Sequence, residues 1–121
     1  MDYEILLLNI ARNASERALH FQECLGQHLI ASYLSKFDFR ARVYSGDVLD
    51  CKTVISHEIH WHHVKIIGFY AGADTASMVG NIIRWLKRTE DVIIVVGGPE
   101  AYALGERFLR GTRCDYVIHG E

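Results

Sequence analysis

The stretch Val92-Ile93-Ile94-Val95-Val96-Gly97-Gly98-Pro99-Glu100 decides the fold. Five β-branched residues run without interruption into two glycines and the single proline of the chain. A continuous apolar run of that length predicts a strand buried on both faces, the usual setting of a strand in a parallel sheet. The glycine pair marks the strand's end. In open parallel sheets ligands bind outside the carboxyl ends of the strands. One segment therefore predicts both an architecture and the rim of a site.

Working outward, the same alternation recurs along the whole chain. Tyr3 to Leu8 reads as a first strand ending at Asn9, and Ile10 to Glu23 as a polar loop with at most a helical turn. Leu25, Leu29, Tyr33 and Phe37 follow at helical spacing and predict a helix with one apolar face, closed by Asp38. Arg40 to Tyr44 alternates as a second strand, Ser45-Gly46-Asp47 reads as a turn, and Asp47 is placed to cap a helix carrying Val48, Cys51, Ile55 and Ile59. Val64 to Tyr70 is a third strand. Asp74 or Thr75 caps a helix striped by Val79, Ile82, Ile83 and Leu86. After the Val92–Val96 strand, Ala101, Leu104 and Phe108 mark a shorter helix, and Asp115 to His119 a fifth strand.

Strands alternating with helices of this length imply right-handed crossovers and a parallel sheet. The expected fold is α/β: a flavodoxin-like (Rossmann-like), doubly wound, five-stranded parallel sheet in the order 2-1-3-4-5, with its switch point between the first and third strands. Residues 1–121 form one domain. The sequence stops directly after the fifth strand, which a complete domain would cover with a helix. This predicts the front end of a longer protein; the alternative is a small protein with its last strand exposed.

Composition narrows the function. Half of the 121 residues are apolar, and the formal net charge is −2 with both signs interspersed. There is no basic footprint for nucleic acid and no charge signal for an anionic membrane. No apolar run reaches the roughly 18 residues of a spanning helix, and the first residues lack the basic region of a signal peptide. Cys24, Cys51 and Cys114 are odd in number and widely spaced, which fits reduced thiols and a cytoplasmic location.

Candidate site residues gather at the carboxyl ends of the strands. Gly97 and Gly98 permit close backbone approach or positive φ, Pro99 suits a first helical position, and the N–H groups from Glu100 onward face the same edge. A tight turn without a ligand explains the pair equally well. Tyr70, Ala71, Gly72, Asp74 and Thr75 follow the third strand, where small residues leave room for a flat ligand; Asp74 also reads as a simple cap. Asn9, Ala11 and Arg12 follow the first strand, and the loop after them is long enough to cover a ligand. His57, His60, His62 and His63 resemble a metal cluster but fall at a helix end on the opposite side of the sheet, where a solvated, favourably charged terminus is the plainer reading. No metal ligands and no catalytic triad or carboxylate pair are assigned.

Three segments together carry a resemblance: Ile66-Ile67-Gly68-Phe69 with the helix Asn81-Ile82-Ile83-Arg84-Trp85-Leu86-Lys87, the Val92–Pro99 stretch, and Cys114-Asp115-Tyr116-Val117-Ile118-His119-Gly120-Glu121. The chain resembles the N-terminal cobalamin-binding domain of radical S-adenosylmethionine enzymes, in which the fourth strand ends in Gly-Gly-Pro and the fifth reads Asp-Tyr-Val, a hydrophobic residue, any residue, Gly-Glu. Element order agrees over the whole chain, and the specific motifs cover about its last 55 residues. The resemblance implies cobalamin over the carboxyl edge, held by Asn9, Ala11, Arg12, Tyr70, Ala71, Gly72, Asp74, Thr75, Gly97, Gly98, Pro99, Glu100, Gly120 and Glu121. It implies a downstream radical S-adenosylmethionine domain in the same polypeptide, which would carry the iron–sulfur cluster and S-adenosylmethionine. Tyr70 stands where the family often has Ser or Thr, and the first loop lacks the family's prolines. The Asp-x-His-x-x-Gly motif of the methionine synthase and mutase type is absent, so no protein histidine is expected on cobalt.

The expected function is a cofactor module for methyl transfer, cyclisation or rearrangement performed with a catalytic domain, this chain alone not being catalytic. The alternative is a degenerate scaffold or dimerisation domain of the same fold. A receiver or flavin domain fits less well, since Asn9 is not acidic and the first loop offers only Ser15 as a hydroxyl.

Overall fold

A computed structural model of the protein describes residues 3–11, 21–72 and 75–118. The elements in chain order are β1 (Ile5–Ala11), α1 (Phe21–Ser35), β2 (Ala41–Asp47), α2 (Val48–His62), β3 (Ile66–Tyr70), α3 (Ala76–Thr89), β4 (Ile93–Gly97), α4 (Pro99–Leu104), α5 (Glu106–Thr112) and β5 (Tyr116–Val117). The strands form one all-parallel sheet in the order β2-β1-β3-β4-β5. This is the flavodoxin-like arrangement the sequence predicts. No helix among the described residues is long and apolar enough to cross a membrane.

Alternate strand residues point to opposite faces, and the two faces differ. Leu6, Leu8, Ile10, Ile67, Phe69, Ile94 and Val96 point to one side, against Cys51 and Ile55 of α2, Val79, Ile82, Ile83 and Leu86 of α3, Ala101 of α4 and Phe108 of α5. This is the main core. The stripe read from the sequence for α3 is buried throughout, and of the described members of the α2 stripe Cys51 and Ile55 are buried and Ile59 is half-buried. The opposite side carries Ile5, Leu7, Ile66, Gly68, Ile93 and Val95, and among the described residues α1 is the helix that lies over it, above β1 and β2.

That asymmetry corrects the reading of the Val92–Val96 run as buried on both faces. Ile94 and Val96 are fully buried, whereas Ile93 is 44% exposed and Val95 only half-buried. The apolar stripe assigned to α1 is corrected too. Leu29, Tyr33 and Phe37 are 65%, 60% and 57% exposed, and the helix instead buries Gln27 and half-buries Ala31 and Leu34. At roughly 100° per residue, Leu29 and Tyr33 lie about 130–170° around the helix from the face formed by 27, 31 and 34, so the i, i+4 series sits opposite the packed side.

Other boundaries moved for local reasons. β1 runs on through Asn9 to Ala11, and β2 through Ser45 and Gly46 to Asp47, because the two pair in register to their ends. The Ser45-Gly46-Asp47 segment is therefore strand, and α2 begins directly after it. α1 begins at Phe21, inside the stretch read as loop. The fourth helix is two helices, broken at Gly105, whose backbone (φ 52°, ψ −122°) no helix accommodates.

The ladder of β5 spans Tyr116 and Val117, Asp115 lies just before it, and His119 lies outside the described residues. Asp115 anchors it from outside. Its carboxylate accepts the Ile94 N–H at 2.7 Å and is met by the Lys87 ammonium at 3.0 Å. The aspartate of the Asp-Tyr-Val motif thus has a structural task.

Candidate functional site

β1 pairs with β3 only from Ile5 to Leu8, although it pairs with β2 as far as Ala11. The two central strands part company beyond Leu8 and Phe69. This is the switch point of a doubly wound sheet, where a crevice opens at the carboxyl edge.

Beside that crevice, under α1, lies a cavity of about 360 Å³. Its floor is Ile5, Leu7, Ile66, Gly68 and Val95, its outer walls are Ile30, Leu34 and Ile118, and its rim is Tyr70, Gly97 and Gly98. The volume is that of a small-molecule pocket. One polar side chain, Gln27, enters this apolar lining. Its Nε2 donates to the Leu8 carbonyl at 2.7 Å, where β1 and β3 separate, while its Oε1 is buried without a hydrogen-bond partner. A buried acceptor left unpaired costs about 1–3 kcal/mol.

The glycine pair divides its labour. Gly97 stands in the strand, and a Cβ built there meets no atom of the described residues within 4 Å, so among them its cavity side is open. Gly98 has φ +109°, and a Cβ there would stand 2.7 Å from the Ala71 carbonyl oxygen. The turns after β3 and β4 are sewn together at this point: the Ala71 N–H donates to the Gly97 carbonyl at 2.8 Å, and the Glu100 N–H donates to the Ala71 carbonyl at 3.1 Å. The choice between turn and ligand contact is thus split between neighbours, Gly98 making the turn and Gly97 facing the cavity. Because the first N–H after Pro99 is spent on Ala71, it offers no anion cradle there.

The remaining sequence candidates separate in the same way. Tyr70 lines the cavity, and its ring lies against Gly72 rather than Gly97: a Cβ on Gly72 would meet the Tyr70 ring at 3.3 Å. Ala71 is buried with its backbone engaged. Thr75 is buried at the N-cap of α3, and its hydroxyl accepts the Gly72 N–H at 3.1 Å. Pro99 opens α4 beside Gly98 and Ile118. Glu100 borders a separate groove with Ser77 and Arg107. Asn9 and Ala11 are strand residues of β1, and Asn9 is buried on the α1 side. Arg12 and the loop after it, Asp74, Gly120 and Glu121 lie outside the described residues. Gln27 was not among the sequence candidates. Its signal was a lone amide on the 27-31-34 face of α1, between apolar neighbours.

The histidines lie at the opposite edge, as placed from sequence. His57 stacks on Trp61, His60 faces Glu90 at 3.3 Å, and His62 approaches Glu58 at 3.6 Å. Among the described residues no three His, Cys, Asp or Glu side chains converge as a metal site would require. Glu58 is instead the buried centre of a structural cluster, bonded to the Tyr3 hydroxyl and paired with Arg42 at 3.2 Å.

That cluster gives a pH dependence. Burial, reinforced by the hydrogen bond to Glu58, pushes the Tyr3 hydroxyl well above its ordinary value of 10.0. Burial likewise raises the Cys114 thiol from its ordinary 9.0. Both folded-state groups hold their protons longer than in the unfolded chain, so their contribution is fully present below about pH 9 and is lost as pH rises. The urea midpoint should fall progressively from about pH 9 upward, and Tyr3→Phe should flatten the part of that fall above about pH 10. A midpoint unchanged up to pH 11 in the wild-type chain would refute the burial of these groups.

Fold and site together define a doubly wound α/β domain with an apolar cavity beside its switch point. No protein-family model matches the chain, and no curated protein matches it significantly.

Proposed function

We propose that this domain is a cobalamin-binding module that holds the cofactor over the carboxyl edge of its sheet. The observation that carries the reading is the cavity beside Gly97, whose lining is apolar apart from the side chains of Gln27 and Tyr70. The residues fit the group chemically. Corrin side chains end in primary amides, which suit the one amide side chain in the lining, Gln27, and the apolar floor suits the ligand's hydrocarbon surface. Gly97 leaves the rim open, Gly98 fixes the turn that shapes it, and Tyr70 offers a ring at the same rim. A degenerate, non-binding scaffold would be expected to fill this edge with Tyr70 and the first loop packed over Gly97 and Gly98; Tyr70 lies against Gly72 instead, which supports the binding reading, and the first loop lies outside the described residues.

When bound, cobalamin supplies a cobalt centre for methyl transfer, cyclisation or rearrangement, carried out with a radical S-adenosylmethionine domain that holds the iron–sulfur cluster. This chain's residues position the ligand and exclude water from the face they cover. Cys51 and Cys114, both buried free thiols, fit a reducing cytoplasmic setting.

The test is a titration with hydroxocobalamin, read by visible absorbance and calorimetry, on the wild-type chain and on Gln27→Met. The variant keeps length and apolar volume but loses the acceptor. It should bind about tenfold more weakly while keeping its circular dichroism spectrum. Equal affinities would remove Gln27 from the site.

A further inference from the structure

The groove bordered by Ser77, Glu100 and Arg107 runs between α3 and the α4–α5 pair and encloses about 410 Å³. It lies on the main-core side of the sheet and shares no lining residue with the cavity beside Gly97. Its α3 wall follows the line 76-80-84, about 12 Å along the helix axis. Ala76 and Gly80 keep that wall low: a Cβ on Gly80 would stand 3.3 Å from the Thr112 methyl and 3.6 Å from the Arg84 guanidinium. Leu104 and Phe108 form the facing apolar wall. Arg84 stands where the two walls meet, donating to the Gly111 carbonyl at 3.1 Å and to Asn81 Oδ1 at 2.5 Å. These bonds fix the guanidinium and use two of its five N–H donors.

Two further charges face the same space. Arg107 rises from the first turn of α5, and the half-buried Glu100 from the first turn of α4. Elsewhere on this surface acid and base meet: Arg110 with Glu106, Lys87 with Asp115 and Arg42 with Glu58. Glu100 and Arg107 share one groove, yet among the described residues neither side chain makes an ion pair or a hydrogen bond. We infer that the groove binds a linear dipolar small molecule. Arg84 and Arg107 hold its carboxylate, Glu100 holds a primary amine at its other end, and a methylene chain between them lies over Ala76, Gly80 and Leu104. Guanidinium–carboxylate and ammonium–carboxylate contacts are charge-assisted and stronger than neutral hydrogen bonds. The two signs of charge in one groove select for a ligand that carries both.

Amide NMR titrations with ε-aminocaproate, caproate and pentylamine separate the two ends. In the wild-type chain ε-aminocaproate should shift the amides of Ser77, Gly80, Leu104 and Arg107 together, with a Kd of about 1 mM or tighter. Each single-ended probe should bind about tenfold more weakly or worse. Glu100→Gln should reduce ε-aminocaproate to the affinity of caproate. Arg107→Gln should weaken both acids about tenfold. Neither variant removes a contact within the described structure, so both should keep the wild-type circular dichroism spectrum. Caproate binding as tightly as ε-aminocaproate to the wild-type chain would reduce the groove to an anion contact and overturn the proposal. So would shifts that map outside the groove, an absence of shifts at about 10 mM probe, or affinities that ignore both substitutions.

Discussion

Gly98→Ala is expected to cost about 3 kcal/mol or more, an unusually large loss for one methyl group. Two effects add. The backbone at φ 109°, ψ 165° lies in a region that essentially only glycine occupies. The new Cβ would also sit 2.7 Å from the Ala71 carbonyl oxygen and 3.0 Å from its nitrogen. Those neighbours are backbone atoms, fixed by the hydrogen bonds that join the Ala71 and Gly97–Glu100 turns. They cannot rotate away as a side chain would. With domain stabilities of about 5–15 kcal/mol, the variant should show a sharply lowered urea midpoint at unchanged slope, or fail to accumulate as folded protein. A loss under about 0.5 kcal/mol would mean that the turn is built differently.

Gly97→Leu, one residue earlier, should do nearly the opposite. The site is strand, with ordinary φ and free space around a Cβ, and its side chain would point into the cavity. The fold should hold or gain slightly, since a strand interior prefers a side chain to glycine. Hydroxocobalamin affinity should fall by about a hundredfold or more, because a leucine here occupies the rim and part of the space the ligand needs. Measured side by side, the two variants separate folding from binding within one dipeptide. Full affinity in a folded Gly97→Leu protein would place the ligand elsewhere.

Much of the architecture was written in short, one-sided signals. The Val92–Val96 run specified a strand, though one buried on a single face, the α3 stripe from Val79 to Leu86 a packed helix, and the five-fold alternation the parallel sheet in the order 2-1-3-4-5. What escaped depended on partners that local sequence does not show. β1 and β2 run past their expected ends because each supplies the other's hydrogen bonds, so Asn9 lies in a strand. α1 was misjudged because its most hydrophobic series is the one it exposes. Its packed face, Gln27, Ala31 and Leu34, is weakly apolar because it roofs a cavity. The same fact hid Gln27 from the candidate site. Gly98 and Gly97 look identical in sequence. Only the proximity of Ala71, 27 residues upstream, tells them apart.

The central claim is that the cavity beside Gly97 belongs to a cobalamin site. Its most direct test is to mix the purified chain with excess hydroxocobalamin, remove free ligand by gel filtration, and record the visible spectrum of the protein peak. The account predicts stoichiometric retention, a shifted cobalamin spectrum and low-micromolar or tighter affinity. A colourless protein peak, with no heat of binding at about 100 µM ligand, would contradict it.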